Sequence, residues 1–371
     1  MSRAFLVAAR RTAVAPRNGA FRRIEAWELA APTLLAAAAD ANCPLDAIDD
    51  VLLGSALYGG GNPARMASLA AGLPDSVPAL TVDTQCCAGL DAILLAAARV
   101  RAGEARAILA GGLESYSRAP LRARRPFGDE PPEPYDRPPF APWPARDPDP
   151  LSAAAGLAPA RGYARADQEA YAIASHAKAL AAVHPEIVDV AGVTRDAFAR
   201  RLDAAVCRRA RPVAGDGAHA VTAATVAVEA DAAAAALVVS EEMAERLGAP
   251  LAVEIVAGLR LGGDPAQPGL SAGRAAAGLL AREGRPRIAC AEIMESFAAQ
   301  AIAAIADAGL DPEVVNRGGG ALSRGHPIGA SGAILVARLF HELAREPAGA
   351  RGLAAIAAVG GLGAAALFRR A

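Results

Sequence analysis

Two adjacent cysteines, Cys86 and Cys87, follow a β-like run at residues 79–84 and come just before a helical pattern at residues 90–102. At such a strand-to-helix turn the first helical N–H groups lack partners, and the helix dipole is positive. This setting favours the thiolate form of cysteine, which is the nucleophile. The alternative interpretation of each thiol is a small buried hydrophobe, because free cysteine is among the most often buried residue types.

A histidine stands in a comparable setting near the other end of the chain. His326 lies between a glycine and a proline, just before a helical pattern at residues 333–343. Glycine lets backbone pass close to a ligand, and Pro327 is suited to open a helix. A histidine beside a helix start is by itself more often structural. Together, however, a Cys and a His that each precede a helix could form a Cys–His nucleophile pair.

The segments that must position these residues alternate between strand and helix patterns. This alternation predicts an α/β layered fold. Strand patterns occupy residues 4–9, 51–56, 79–84 and 107–111, and helical patterns occupy residues 24–41, 64–71 and 90–102.

The C-terminal third repeats this order. A strand pattern at residues 288–293 precedes a helical pattern at 297–307, and residues 333–337 and 357–362 parallel residues 92–96 and 109–113. In this register Cys86 and the turn at His326 occupy equivalent helix starts of two duplicated halves. Twofold-like packing of the halves would bring these two helix starts together.

The pattern changes between the halves, from about residue 117 to residue 248. Residues 119–150 are rich in Pro and Arg, which prevents a regular helix and predicts a surface excursion. Residues 165–182 then have a helical pattern.

The composition argues against several classes of protein. Lys and Arg number 38 against 39 acidic residues, which disfavours a nucleic-acid-binding protein with a strongly basic face. Five cysteines without metal-type spacing predict no metal site and indicate a reducing compartment. The longest weakly polar run, residues 352–368, falls short of the roughly 18 residues that a membrane span requires. We therefore expect a soluble, cytoplasmic protein with no membrane or nucleic-acid partner.

Several motifs, which follow one another in the family's order over most of the chain, resemble those of the thiolase family. The matching stretches are residues 85–90, 112–115 with Ser117 and Pro120, 165–172 with Ser175 and His176, and 325–332. The resemblance implies a five-layer αβαβα fold built from two duplicated halves with an inserted loop domain. The implied boundaries are residues 1–116 plus 249–257 for the N-terminal half, 117–248 for the loop domain and 258–371 for the C-terminal half.

The resemblance also implies a thiolase-type acyl-CoA acyltransferase, of the kind used in fatty acid metabolism, in which Cys86 takes an acyl group from a thioester. His326 would deprotonate Cys86 or polarise the thioester oxygen. The backbone N–H groups of Cys86 and Val359 would stabilise the oxyanion. The motif register favours Cys86 over Cys87, which we expect to pack inward.

Coenzyme A, or its acyl thioester, is implied as a substrate and not as a permanently bound cofactor. The basic cluster Arg208, Arg209 and Arg211 is a candidate for its phosphates, with a solvated Arg-rich face as the alternative. In the family the stretch that here includes Thr225 and Ala227 lies near the coenzyme. A homodimer or homotetramer is implied by resemblance alone.

Three departures bear on the carbon–carbon chemistry of the family. Ala357 stands where a second cysteine normally moves the proton of the carbon acid, and Met294 stands where an asparagine normally holds a catalytic water. Residues 222–227 lack the usual amide and hydroxyl. Cys290 or His326 are the candidates to replace the missing acid/base. The alternatives are an acyltransferase with a lost or altered carbon–carbon step and a non-catalytic acyl-CoA-binding subunit.

Overall fold

The computed structural model describes residues 3–371, and their N-terminal part alternates strands with helices as predicted. Its elements are β1 (Ala4–Thr12), β2 (Ala15–Pro16), α1 (Ala26–Asp40), β3 (Asp50–Gly54), α2 (Pro63–Ala70), β4 (Ala79–Val82), α3 (Ala88–Ala102) and β5 (Ala107–Ser115). The buried strands consist of apolar runs that are covered on both faces, which is typical of layered α/β proteins.

A segment of short elements follows β5. It contains β6 (Ala123–Arg124), β7 (Glu133–Pro134), α4 (Pro150–Ala160), α5 (Arg165–Ala181), β8 (Ile187–Val188), α6 (Ala204–Arg209), β9 (Pro212–Ala214) and β10 (Val221–Thr222). Helix α5 was expected at residues 165–182. No regular helix forms between residues 119 and 149, in agreement with the high proline content there.

The remaining elements form the C-terminal part. They are β11 (Ala230–Ser240), α7 (Glu241–Leu247), β12 (Val253–Gly262), α8 (Ser271–Arg282), β13 (Cys290–Ile293), α9 (Ala298–Ala308), α10 (Ala321–Arg324), α11 (Ile328–Leu343), β14 (Arg351–Ala358) and β15 (Leu362–Arg370). The weakly polar run at residues 352–368 belongs to the last two strands. No helix within residues 3–371 has both the length and the apolar character to cross a bilayer.

One long sheet connects the two halves of the chain, with β1 and β12 adjacent at its centre. Outward from β1 the order is β11, β5, β3 and β4, and outward from β12 it is β15, β14 and β13. Each half therefore has an antiparallel pair next to its central strand, followed by a parallel pair. This matched order confirms the predicted fold of two duplicated halves.

Helices fill three layers around the sheet. Helices α3 and α11 pack against each other between the halves, α1 and α2 cover the outer face of the N-terminal half, and α8 and α9 cover that of the C-terminal half. The central core includes Leu90, Ile93 and Leu335, all at most 2% exposed. Burying such a side chain contributes about 1.5–3 kcal/mol. The five-layer αβαβα arrangement is the one expected.

The predicted extent of the inserted domain, residues 117–248, needs a correction at its end. Strand β11 lies inside that range, yet it pairs with β1 and β5 in the middle of the sheet. Residues 249–257 had been assigned to the N-terminal half, but β12 pairs along its whole length with β15. The alanine-rich sequence of β11 hid this strand, because alanine favours helix and only burial between two strands overrides that preference.

Candidate active site

Cys86 lies in a short 3₁₀ turn, Gln85–Cys87, between β4 and α3. Gln85 adopts a left-handed conformation with φ of 55°, which turns the chain sharply out of the strand. Thr84 closes the turn, since its hydroxyl donates to the Asp91 carboxylate at 2.6 Å. Cys86 is left 8% exposed, at the wall of a cavity.

His326 lies between α10 and α11. Its backbone N–H donates to the carbonyl oxygen of Val228 at 2.8 Å, and α11 begins two residues later, directly after Pro327. The N–H of Ala227 donates to the carbonyl oxygen of Ser296 at 3.0 Å. Residues 225–229 are therefore held between the turn at Ser296 and the turn at His326. This segment joins two parts of the C-terminal half at the cavity.

The two predicted catalytic side chains meet, with Nε2 of His326 3.2 Å from the sulfur of Cys86. The other ring nitrogen, Nδ1, lies 2.6 Å from the hydroxyl oxygen of Ser331. That hydroxyl donates its own proton to the carbonyl oxygen of Pro327 at 2.9 Å, so it accepts from Nδ1–H. This tautomer leaves the lone pair of Nε2 facing the thiol, ready to take its proton.

Burial keeps both members of the pair neutral at rest. It raises the pKa of the Cys86 thiol to about 12, although the backbone N–H groups of Cys86 and Val359 face the sulfur and oppose the shift. Burial also lowers the pKa of the His326 imidazole to about 4. The expectation that the helix start favours a resting thiolate is therefore wrong, because desolvation outweighs the nearby N–H groups. A thiolate forms here when the proton moves to the imidazole.

The predicted oxyanion donors, the N–H groups of Cys86 and Val359, both lie near the sulfur of Cys86 and act on its pKa. Val359 follows β14 and precedes Gly360 and Gly361, whose φ angles of 74° and 81° let the chain turn back into β15. A pair of fixed N–H groups beside a nucleophile can stabilise negative charge on a tetrahedral oxygen.

Glycines bring the two helix starts close together. A Cβ at Gly89 of α3 would lie 2.7 Å from the backbone nitrogen of Ala333 of α11, and one at Gly332 would lie 2.5 Å from the nitrogen of Leu90. The two helices therefore touch backbone to backbone behind Cys86 and His326. Larger residues at these positions would separate the helix starts that carry Cys86 and His326.

A buried carboxylate links the two halves at the same place. Glu114, at the end of β5, accepts from the N–H of Gly329 at 2.9 Å and from the N–H groups of Ala56 and Leu57 at 2.9 and 3.2 Å. Burial raises the pKa of this carboxyl to about 7, and the backbone donors oppose the shift. Glu114 thus ties the first turn of α11 to the loop after β3.

Cys86 and His326 open into a cavity of about 730 Å³ with mainly apolar walls. Ala227 lines it, whereas the Thr225 hydroxyl is buried and donates to the carbonyl oxygen of Thr222 at 3.1 Å. Contact of either residue with the coenzyme stays a prediction. The lining also includes residues that the sequence analysis did not single out, namely Leu57, Tyr116, Arg122, Arg137, Phe140, Leu157, Phe297 and Gln300.

The three predicted phosphate-binding arginines lie elsewhere. Arg208, Arg209 and Arg211 are exposed, at the end of α6 and just after it, and none of them lines the cavity. The cationic side chains of the cavity wall are Arg122 and Arg137. The periodicity of the sequence could not reveal this, because the cavity face is set by how the inserted segment folds back over the sheet.

The residues that differ from the thiolase motifs lie in different parts of the structure. Ala357 lines the cavity, but Met294 is 1% exposed and packs in the central core, outside the cavity wall. Cys290, a candidate to replace the missing cysteine, is buried at the start of β13, also outside the wall, and burial raises its pKa to about 12. Of the two proposed substitutes, only His326 reaches the cavity.

Cys87 packs inward, as expected, with its sulfur 3.7 Å from the carbonyl oxygen of Ile356. Burial raises its pKa well above 9. All five cysteines are buried and none forms a disulfide. Within residues 3–371 no group of three or more His, Cys, Asp or Glu side chains has the arrangement of a metal site.

Comparison with known proteins gives one consistent family. The model of the thiolase N-terminal domain matches residues 4–132, and that of the thiolase C-terminal domain matches residues 249–370. Between them they cover most of the chain, and the unmatched part, residues 133–248, includes most of the inserted segment.

Full-length relatives carry related names. Two proteins whose names begin "Putative acetyl-CoA C-acetyltransferase" are VraB of Staphylococcus aureus (strain MRSA252), 35% identical over all of both chains, and YhfS of Bacillus subtilis (strain 168), 36% identical over 98% of both chains. The crystal structure of the Bacillus anthracis acetyl-CoA acetyltransferase superimposes with a TM-score of 0.92 at 29% identity, covering 100% of this chain and 99% of that one.

Proposed function

Because this chain belongs to the thiolase family, we propose that it is an acyl-CoA acyltransferase that works through an acyl-cysteine on Cys86. The observation that carries the proposal is the 3.2 Å contact between the Cys86 sulfur and Nε2 of His326. A thiol in hydrogen-bond reach of an oriented base is the arrangement of an activated nucleophile.

The proposed first half-reaction uses only groups of this chain. Nε2 of His326 takes the thiol proton, and the Cys86 sulfur bonds to the carbonyl carbon of the thioester. The N–H groups of Cys86 and Val359 hold the oxyanion of the tetrahedral intermediate. When this intermediate collapses, the carbon–sulfur bond to coenzyme A breaks, and the imidazolium returns its proton to the departing thiolate.

The cavity suits the acyl end of such a substrate. Its mainly apolar walls, which include Leu57, Phe140 and Leu157, fit an acyl chain and the pantetheine arm. Coenzyme A is proposed as substrate, and Arg122 and Arg137 are the cations that its charged end would meet at this cavity. Acyl chain length, and a homodimer or homotetramer in solution, remain predictions to be tested by substrate series and by light scattering.

Mass spectrometry of the intact protein after incubation with acetyl-CoA tests the proposal. We expect one acetyl group per chain, mapped to Cys86 and absent from Cys86→Ala. Cys87→Ala is the matched control, because it removes a neighbouring buried thiol that does not contact His326, and it should acetylate normally. Failure of Cys86 to acetylate in a folded protein would favour a non-catalytic acyl-CoA-binding subunit.

A second candidate is an acyltransferase whose carbon–carbon step is altered. It is favoured by Ala357, which lines the cavity and carries no group that can move a proton. CoA-dependent cleavage of acetoacetyl-CoA and longer 3-ketoacyl-CoAs separates the two candidates. Acetylation of Cys86 without cleavage of any of these substrates would select the altered enzyme.

A further inference from the structure

We propose that the hydroxyl group of Tyr116 is the proton carrier of the carbon–carbon step, in place of the side chain that Ala357 lacks. The inference rests on the proposed acyl transfer at Cys86 and extends it to the carbon next to the thioester. Claisen chemistry needs a proton to be added to or removed from that carbon, and tyrosine is among the side chains that perform such transfers.

Tyr116 faces the cavity that holds the candidate nucleophile. It follows β5 directly and lines the same cavity as Cys86, His326 and Ala357. Burial raises the pKa of Tyr116 well above 10, and negative charge on Cys86 raises it further. The phenol is therefore protonated when a substrate arrives and close enough to Cys86 to feel its charge.

The backbone on both sides of Tyr116 is fixed, but its hydroxyl is not used by the fold. The hydroxyl of Ser115 and the N–H of Ser117 both donate to the Asp231 carboxylate, at 3.3 and 2.9 Å. No hydrogen bond among residues 3–371 involves the Tyr116 hydroxyl, which can donate and accept. The hydroxyl is therefore free to meet a ligand in the cavity, which Tyr116 lines.

A solvent-exposed ion pair acts on Tyr116. Arg17 and Glu229 form an ion pair at 2.8 Å, with side chains 54% and 51% exposed, and Glu229 also lines the cavity. Both charges act on the phenol, Glu229 raising its pKa and Arg17 lowering it. Arg17 would thus stabilise a transient phenolate, and the exposed pair lets the site exchange protons with water.

The proton count shows how Tyr116 can act beside His326. In cleavage of a 3-ketoacyl-CoA, the Cys86 thiol gives its proton to His326 and the sulfur bonds to the keto carbon. The bond between that carbon and the α-carbon then breaks, and its electron pair goes to the α-carbon. The phenol of Tyr116 supplies the proton for the α-carbon and becomes a phenolate, while His326 keeps the proton of the thiol.

The second half-reaction restores both groups. The phenolate first takes the proton that His326 holds, which restores the phenol and a neutral imidazole. His326 then removes the proton of the incoming coenzyme A thiol, whose sulfur attacks the acyl-cysteine. The Cys86 thiolate leaves and regains its proton from His326. One carbon–carbon bond and one thiol proton are consumed, and two thioesters result, with no oxidant or further reactant.

Deuterium incorporation into the methyl group of acetyl-CoA, measured by mass spectrometry in D₂O, tests this role directly. Tyr116→Phe should slow incorporation by about 100-fold or more, because a positioned acid/base contributes about 10²–10⁴-fold. Acetylation of Cys86 in the same variant should change little, which also shows that it folds. Tyr163→Phe is the matched control, since that tyrosine lies outside the cavity wall.

The outcomes separate this inference from the proposed function. Unchanged deuterium incorporation in Tyr116→Phe, with Cys86 acetylated, overturns the role of Tyr116 and leaves acyl transfer standing. Wild-type protein that acetylates Cys86 but exchanges no methyl proton also overturns it. A wild-type protein that does not acetylate Cys86 overturns both, because the carbon step then has no acyl-enzyme to act on.

Discussion

Nδ1 of His326 and the hydroxyl of Ser331 lie 2.6 Å apart, and this contact fixes which imidazole nitrogen faces the nucleophile. The Ser331 hydroxyl must accept from Nδ1 because it donates to the carbonyl oxygen of Pro327. A serine in the first turn of α11 therefore decides that the lone pair of Nε2, and not its proton, meets Cys86. His326 therefore has the tautomer that can accept the Cys86 proton before any substrate binds.

Ser331→Ala should reduce acylation of Cys86 by on the order of tenfold or more. The loss is part of the roughly 10²–10⁴-fold that an oriented base contributes, because the imidazole can then rotate or change tautomer. The measurement is the rate of Cys86 acetylation under single-turnover conditions. Ser323→Ala is the control, since the Ser323 hydroxyl also donates to a backbone carbonyl, that of Gly320 at 2.7 Å, but does not touch His326. Equal rates for the two variants would contradict a role for Ser331 in orienting the base.

Acylation of Cys86 should persist at a lower pH than it would if His326 had the usual pKa of a histidine. Burial lowers the pKa of His326 to about 4, so the imidazole stays neutral and able to accept a proton well below its usual value of 6.5. The rate of Cys86 acetylation should be flat down to about pH 5 and fall as pH drops through about 4. A fall centred near pH 6.5 would show that His326 is more solvated than its position implies.

The proposed acylation site could be predicted from the sequence because its parts are short local segments. Cys86 and His326 each precede a helix, and the repeated order of elements predicted that these helix starts meet. The two backbone donors could also be anticipated, because an N–H does not depend on side-chain type. The duplication connects these observations. It places two residues that are far apart in the sequence at equivalent positions of two halves that pack together.

The supporting residues could not be predicted in the same way. Glu114 belongs to a recognised motif, yet its role depends on the N–H of Gly329, which arrives from the opposite half of the chain. Tyr116 has no signal in the periodicity, because its side chain matters only once the inserted segment closes the cavity. The role of Arg208 stays a prediction: a basic cluster indicates a charged surface but not which ligand that surface meets.

Close packing of the two central helices should be intolerant of even one added methyl group. At Gly89, a Cβ would lie 2.7 Å from the nitrogen of Ala333 and 2.8 Å from the carbonyl oxygen of Gly329. Gly89→Ala should therefore destabilise the fold by about 1–3 kcal/mol, the usual cost of overpacking. Because the helices carry Cys86 and His326, a shift of about 1 Å should also slow acylation by on the order of 10²-fold.

Chemical denaturation and single-turnover acetylation measure these two effects of Gly89→Ala. Gly262→Ala is the control, because a Cβ there meets no atom within 4 Å and the φ angle is not in the left-handed region. It should match the parent protein in both measurements. A Gly89→Ala protein with parental stability and rate would mean that the helices can separate without moving the catalytic pair.

Restoring a thiol at position 357 should strengthen the carbon–carbon step selectively. Ala357 lines the cavity beside Cys86, so Ala357→Cys places a group that can exchange a proton near the α-carbon of the bound thioester. Deuterium incorporation into acetyl-CoA should rise, by at most about 10²–10⁴-fold, whereas acetylation of Cys86 should hardly change. Ala355→Cys puts the same thiol two residues earlier in β14, where the side chain is buried and outside the cavity wall, and should give no gain. If both variants leave incorporation at the parental rate, the missing cysteine is not what limits the carbon step.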